Sequence, residues 1–174
     1  CEKVCKSVAM CAKSLYILWM FGFNSLSMDA KGRIAIPARY RNDFRNQNLN
    51  ALVITKDPQY PSLKIYSDKE WEKISKKLQS LQGLDPIVRN LQWTILGNAY
   101  ETEIDIEGRM LVRIPSDLRE YSEIKDQKQI ALVGMGNKFE VWNINNWEMR
   151  QTGGSLSTEI LDVVLPESIK EMSF

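Results

Sequence analysis

Apolar residues recur at helical spacing in two stretches near the middle of the chain. Trp71, Ile74, Leu78 and Leu81 fall on one face of a helix, behind a capping box made by Ser67 and Glu70. Asp85 followed by Pro86 opens a second helix, whose face carries Val88, Leu91, Ile95 and Leu96 and whose end is marked by Gly97. Only Gln82-Gly83-Leu84 separates the two, so they are expected as an antiparallel helical hairpin. On either side the pattern shortens to β-favouring runs broken by Gly and Pro, the signature of strands joined by tight turns.

These flanking regions repeat each other. Leu26-Ser27-Met28-Asp29-Ala30-Lys31-Gly32-Arg33-Ile34 returns as Thr102-Glu103-Ile104-Asp105-Ile106-Glu107-Gly108-Arg109-Met110. Each copy leads through an apolar stretch to a proline: Pro37-Ala38-Arg39-Tyr40-Arg41, then Pro115-Ser116-Asp117-Leu118-Arg119. Downstream, Leu63-Lys64-Ile65-Tyr66 with Trp71-Glu72 answers to Phe139-Glu140-Val141-Trp142 with Trp147-Glu148. Asp29 to Asp105 and Trp71 to Trp147 are both 76 positions apart. Order preserved over so many positions identifies a duplicated module. Each module reads as strand, turn, strand, short helix, two strands, helix. Gly32 and Gly108 sit where a tight turn needs positive φ, and Asp29 and Arg33 are placed to pair across it. Asp105 and Arg109 occupy the matching positions. Pro37 and Pro115 stop the second strand and open the short helix, Arg39 to Phe44 in the first module. The second copy holds two more residues between its Arg and its Pro.

Composition narrows the function. Of 174 residues 44% are hydrophobic and 26% charged, ordinary for a folded chain, and the net charge is only +1. That small total hides an asymmetry. Residues 20–56 carry six positive charges against two acids, whereas residues 101–128 carry five against eight. The first segment is the candidate for a phosphate partner. Histidine is absent, which removes the commonest general base and the usual Ser-His and Cys-His nucleophile pairs, so an enzyme is disfavoured. The three cysteines, Cys1, Cys5 and Cys11, match no zinc spacing and make no disulfide framework, so neither metal nor cofactor is expected. The longest apolar run, Leu15 to Phe21, is too short to span a bilayer, and Lys13 splits any signal-like region. A cytoplasmic location follows as the expectation.

The stretch Met20-Phe21-Gly22-Phe23-Asn24 through Asp29-Ala30-Lys31-Gly32-Arg33 to Arg41 closely resembles the start of MraZ-family proteins. Leu96-Gly97-Asn98-Ala99 through Gly108-Arg109, and Val133-Gly134 through Trp142, resemble that family's second module. The resemblance implies an α+β fold, a duplicated AbrB/SpoVT-like swapped-hairpin β-barrel with peripheral helices. It implies a sequence-specific, DNA-binding transcriptional repressor of the division and cell-wall gene cluster. Such a regulator acts as a ring-like homo-oligomer on promoter direct repeats, in the cytoplasm at the nucleoid, without a small-molecule substrate. The alternative is a structural or protein-interaction ring that does not bind DNA. The resemblance also places Met20 at the family's initiator, so residues 1–19 are expected to be a non-native or disordered extension. Residues 20–97 and 98–150 are then the two modules, and 151–174 a linker with a short helix. The family's basic residue close behind the initiator is replaced here by Gly22.

Arg33 is the first candidate for DNA contact, because a guanidinium fork pairs bidentately with phosphate or with a guanine edge. Its competing role is to hold the hairpin through Asp29. Lys31, at the tip, is either a phosphate contact or part of a solvated turn. Arg39, Arg41 and Arg45 line one short helix and serve DNA, a subunit interface or water. Arg109 is the counterpart of Arg33, but Glu101, Glu103, Asp105 and Glu107 surround it and favour a structural role. Asp29, Gly32, Asp105 and Gly108 are assigned to the hairpins themselves.

Overall fold

Two copies of one element order interleave to make the molecule. The computed structural model describes residues 20–81, 85–104 and 108–153. The expectations for residues 1–19, the 82–84 link, Asp105 and the tail from residue 154 lie outside the described residues. The first copy is β1 (Met20–Ser27), β2 (Arg33–Ala35), α1 (Ala38–Asn46), β3 (Ala51–Lys56), β4 (Ser62–Ser67) and α2 (Asp68–Ser80). Helix α3 (Pro86–Ile95) follows. The second copy is β5 (Tyr100–Glu103), β6 (Leu111–Arg113), α4 (Ser116–Tyr121), β7 (Gln129–Gly136), β8 (Lys138–Asn143) and α5 (Ile144–Gly153). The class is α+β. The described residues up to Asn143 form one compact unit, and those from Ile144 belong to a second.

Among the described residues every strand pairing is antiparallel. One sheet has the order β1-β7-β8-β4-β3-β5, and β2 and β6 form a separate two-stranded ribbon. The first strand of each copy lies against the third strand of the other. Strand β1 pairs β7 from Met20↔Gly136 to Ser27↔Gln129, and β5 pairs β3 from Ala51↔Glu103 to Ile54↔Tyr100. The second strands pair with each other, Ile34 opposite Val112. A three-residue strand has too few ladder bonds to stand alone, so β2 and β6 each depend on the other copy.

The core draws on both copies equally. Ile34, Ile36, Val112 and Ile114 from the ribbon are fully buried with Leu52, Ile54, Ile130, Leu132 and Phe139 from the sheet. Tyr40 and Phe44 of α1 reach across to Phe139, with ring centroids 4.9 and 6.5 Å away. The Tyr121 hydroxyl of α4 donates to the Asp57 carbonyl at 2.6 Å, a further tie between copies. Helices α1 and α4 end alike. Asn48 (φ +49) and Glu123 (φ +57) turn left-handed just past the helix, and the next residue, Leu49 or Ile124, is buried. This is the apolar contact that accompanies an αL C-cap.

Pro37 and Pro115 stand at the N-caps of α1 and α4, and α1 runs from Ala38 to Asn46, longer at both ends than the Arg39–Phe44 expected. The Ser67 hydroxyl caps α2 by accepting from the Glu70 N–H at 3.3 Å. The Glu70 carboxylate instead takes the Asn137 amide at 3.2 Å and Lys73. Asp85 caps α3 by accepting from the Ile87 N–H at 2.8 Å. Gln92 donates to the Leu78 carbonyl at 2.7 Å, which joins the end of α2 to α3. The C-cap of α3 is Leu96, with Gly97 donating to the Gln92 carbonyl at 3.3 Å. The segment expected as a linker begins inside a helix, since Gln151 to Gly153 are the last turn of α5. There the Thr152 hydroxyl donates to the Glu148 carbonyl at 2.9 Å, four residues back along the helix.

Candidate nucleic-acid interface

Between β1 and β2 the chain reverses through Asp29-Ala30-Lys31-Gly32. Asp29 builds this turn. Its Oδ1 accepts from the backbone N–H groups of Lys31 and Arg33 at 3.0 and 2.8 Å, an Asx-type closure. Its Oδ2 accepts from Arg33 Nε at 2.7 Å and pairs with Nη2 at 2.7 Å. Hydrogen bonding from the Arg33 backbone, and then from its side chain, holds the Asp29 carboxyl below its usual range. Gly32 closes the turn at φ +76. A Cβ at residue 32 would lie 2.7 Å from Arg119 Nε and 3.0 Å from the Ile114 carbonyl oxygen, so only glycine fits. Arg33 is thus fork-bound on one side, half-exposed, and fixed in direction. Lys31 is exposed, and its ammonium has no partner among the described residues.

The second tip is built differently. Met110 turns left-handed there (φ +50) and is fully buried, while Gly108 is exposed. Reciprocal bonds fix the equivalence: Ile36 N–H donates to the Met110 carbonyl at 3.0 Å and Ile114 N–H to the Gly32 carbonyl at 2.9 Å. Gly32 therefore corresponds to Met110, as Pro37 does to Pro115. The two additional residues of the second copy are taken up in the tip itself. Beyond it, Leu111 and not Arg109 occupies the place of Arg33 in the ribbon. Arg109 is exposed in the turn.

The remaining basic candidates bind the fold. Arg39 Nη2 donates to the Phe23 carbonyl at 3.1 Å, and its guanidinium lies 4.8 Å from the Tyr40 ring centroid. The same guanidinium fills the space over Gly22 (φ +100) where a side chain would stand. Arg41 Nε donates to the Ile36 carbonyl at 2.8 Å and secures the start of α1. Arg45 is exposed and bonds Asn42 at 3.4 Å.

Two further arginines, both from the second copy, stand beside the first tip. Arg113 lies directly opposite Arg33 in the β2–β6 ladder and is exposed. Arg119 covers Gly32, with its Nε buried and without a hydrogen-bond partner. Sequence reasoning passed over both, because their segment is acidic overall and only the interleaving of copies brings them to Arg33. The one signal available was the arginine two residues before Pro115, where the first copy has Ala35.

The family model for MraZ protein, antitoxin-like by its description, matches residues 20–91 and 95–155. A protein of Hydrogenovibrio crunogenus named "Transcriptional regulator MraZ" is 43% identical over 157 residues, 90% of this chain and 99% of the relative. The chain belongs to the MraZ family. Other MraZ proteins are similar to it over much of their length. One of Legionella pneumophila is 35% identical over 152 residues, 87% of this chain and 97% of the relative. One of Coxiella burnetii is 43% identical over 127 residues, 73% of this chain and 81% of the relative. Both carry the name "Transcriptional regulator MraZ". The matched residues of the MraZ model include both tips and the Arg33–Arg113 ribbon. Among the described residues of this family member, no helix is long and apolar enough to cross a membrane, and no group of three or more His, Cys, Asp or Glu could hold a metal ion.

Proposed function

We propose that this chain is a sequence-specific, DNA-binding transcriptional repressor that contacts the double helix through the first tip, chiefly Arg33 and Lys31. The observation that carries this reading is the Asx-closed turn at Asp29, which fixes the half-exposed Arg33 guanidinium beside the exposed Lys31 at the end of a hairpin. Bidentate pairing with Asp29 leaves Arg33 pre-organised, so less side-chain entropy is lost on contact. Arg39 and Arg41 support the tip from behind, with their guanidinium groups committed to backbone carbonyls. Arg109 is a weaker, peripheral contact. The exchange of first strands between modules 20–97 and 98–150 supports a swapped-hairpin β-barrel, closed within one chain.

A single tip of this modest charge binds DNA weakly, and a ring of copies answers that weakness. Linked sites gain roughly 10² to 10⁴ in avidity. Apolar side chains suited to a head-to-tail contact are exposed on two surfaces: Phe21 and Met135 at the β1 edge, and Ile87 (78% exposed) and Trp93 (62%) on α3. A cyclic assembly repeats its tips in one direction and therefore suits promoter direct repeats. In keeping with the family resemblance, the target is the division and cell-wall gene cluster, and the site of action is the nucleoid within the cytoplasm.

A gel shift on the DNA upstream of its own coding sequence, with light scattering of the free protein, tests the reading. Discrete retarded species with wild type, their loss with Arg33→Ala, and a multi-subunit mass are expected. A ring-sized particle that retains no duplex at ~50 mM salt, a generous condition for electrostatic binding, would favour a protein-interaction ring instead.

A further inference from the structure

The ribbon face turned away from the core carries Arg33 and Ala35 on β2, and Leu111 and Arg113 on β6. Residues directly opposite in an antiparallel ladder project to the same side, with Cβ atoms about 5 Å apart. Arg33 and Arg113 are such a pair, and like charges in this position repel. Asp29 balances Arg33, whereas Arg113 has no ion-pair or hydrogen-bond partner among the described residues. Beside them the buried Nε–H of Arg119 also lacks an acceptor. The fold thus gathers guanidinium groups from both modules with a single carboxylate, Asp29, paired to them among the described residues.

We propose that Arg113 of the second module and Arg33 of the first close on the same DNA backbone phosphate. Each contact with the double helix is then built jointly by both modules. This rests on the DNA-binding reading above and deepens it. A phosphate between two forks removes the cross-strand repulsion and takes up a donor from each strand. The acidic balance of the second module does not oppose this, because its arginine acts at the tip of the first. A phosphate contact carries no sequence information, so Arg113 raises affinity for every duplex alike.

The test measures fluorescence anisotropy of two labelled duplexes between ~50 and ~200 mM salt. One duplex is the DNA upstream of the coding sequence and the other a scramble of equal length. Arg113→Ala is expected to weaken both by the same factor, about eightfold per engaged tip at 0.1 M salt. The slope of log K against log salt should become shallower by about 0.9 per tip. Arg113→Glu is expected to bind neither duplex yet to unfold at a higher temperature than wild type, since glutamate opposite Arg33 turns repulsion into a pair. Wild-type affinity and slope in Arg113→Ala, with binding lost in Arg33→Ala, would overturn the inference and leave the DNA-binding reading standing. Loss confined to the upstream duplex, with an unchanged slope, would also overturn it, by marking Arg113 as a base contact. Absence of binding by wild type itself would remove both.

Discussion

At the first tip a glycine turns left-handed and an aspartate closes the loop; at the second a buried methionine takes the same backbone conformation. Gly32 leaves room for Arg119, whereas Met110 fills its own site and joins the core. The first tip ends in an arginine that is half-exposed and paired, and the second replaces that ribbon position with Leu111. One duplicated hairpin has therefore diverged into a tip that presents charge and a tip that packs. The second copy still contributes to the charged surface, but through Arg113 across the ladder, not through Arg109 in its own motif.

The comparison breaks most visibly if the tips are functionally alike. Arg33→Ala is expected to reduce duplex affinity at least ~100-fold, because every tip in an avid assembly is lost at once. Arg109→Ala should weaken binding by less than about eightfold per engaged tip, one phosphate contact at most at each. Equal losses in a titration of both variants would make the tips equivalent.

Stability sharpens the contrast next. Gly32→Val should lower unfolding free energy by about 2–5 kcal/mol. The left-handed conformation costs a side chain roughly 1–2 kcal/mol, and crowding Arg119 and the Ile114 carbonyl adds about 1–3 kcal/mol. Urea unfolding would measure it. At the other tip, Met110→Gly relieves a strained φ worth about 1 kcal/mol but empties a fully buried site worth roughly 2–5 kcal/mol. A net loss of about 1–4 kcal/mol is expected. Stabilisation by this variant would mean that strain, and not packing, governs the second tip.

The smallest effect is that of pH. The Asp29 carboxyl is held below its ordinary value of 3.8 in the folded chain, chiefly by the Arg33 backbone N–H. Its stabilisation is therefore complete above that value and disappears as pH falls through the lower, folded one. Wild type should be more stable than Asp29→Asn at neutral pH and converge with it in acid. A difference that persists unchanged in thermal unfolding below pH ~3 would show that charge is not what Asp29 contributes.

Much of the fold was legible because it depends on local rules. The turn at Asp29-Ala30-Lys31-Gly32-Arg33, the Asp85-Pro86 helix start and the prolines before α1 and α4 are each set by neighbouring residues. What stayed hidden depends on pairings distant in sequence. Motif similarity aligned Arg109 with Arg33, but the ribbon register is fixed by Pro115 and Ile114 from the other side, which moves the insertion into the tip. Arg113 was invisible for the same reason: an acidic segment looks unsuited to DNA until this arginine is seen opposite Arg33.

The central claim is that the first tip, and not the second, meets the double helix. A photo-crosslinking residue placed at position 31 in one protein and at position 109 in another tests it directly, with the upstream duplex as target. Strong crosslinking from position 31 and little from position 109 is the predicted result. Crosslinking from position 109 alone, or from neither while the duplex is bound, would contradict the account.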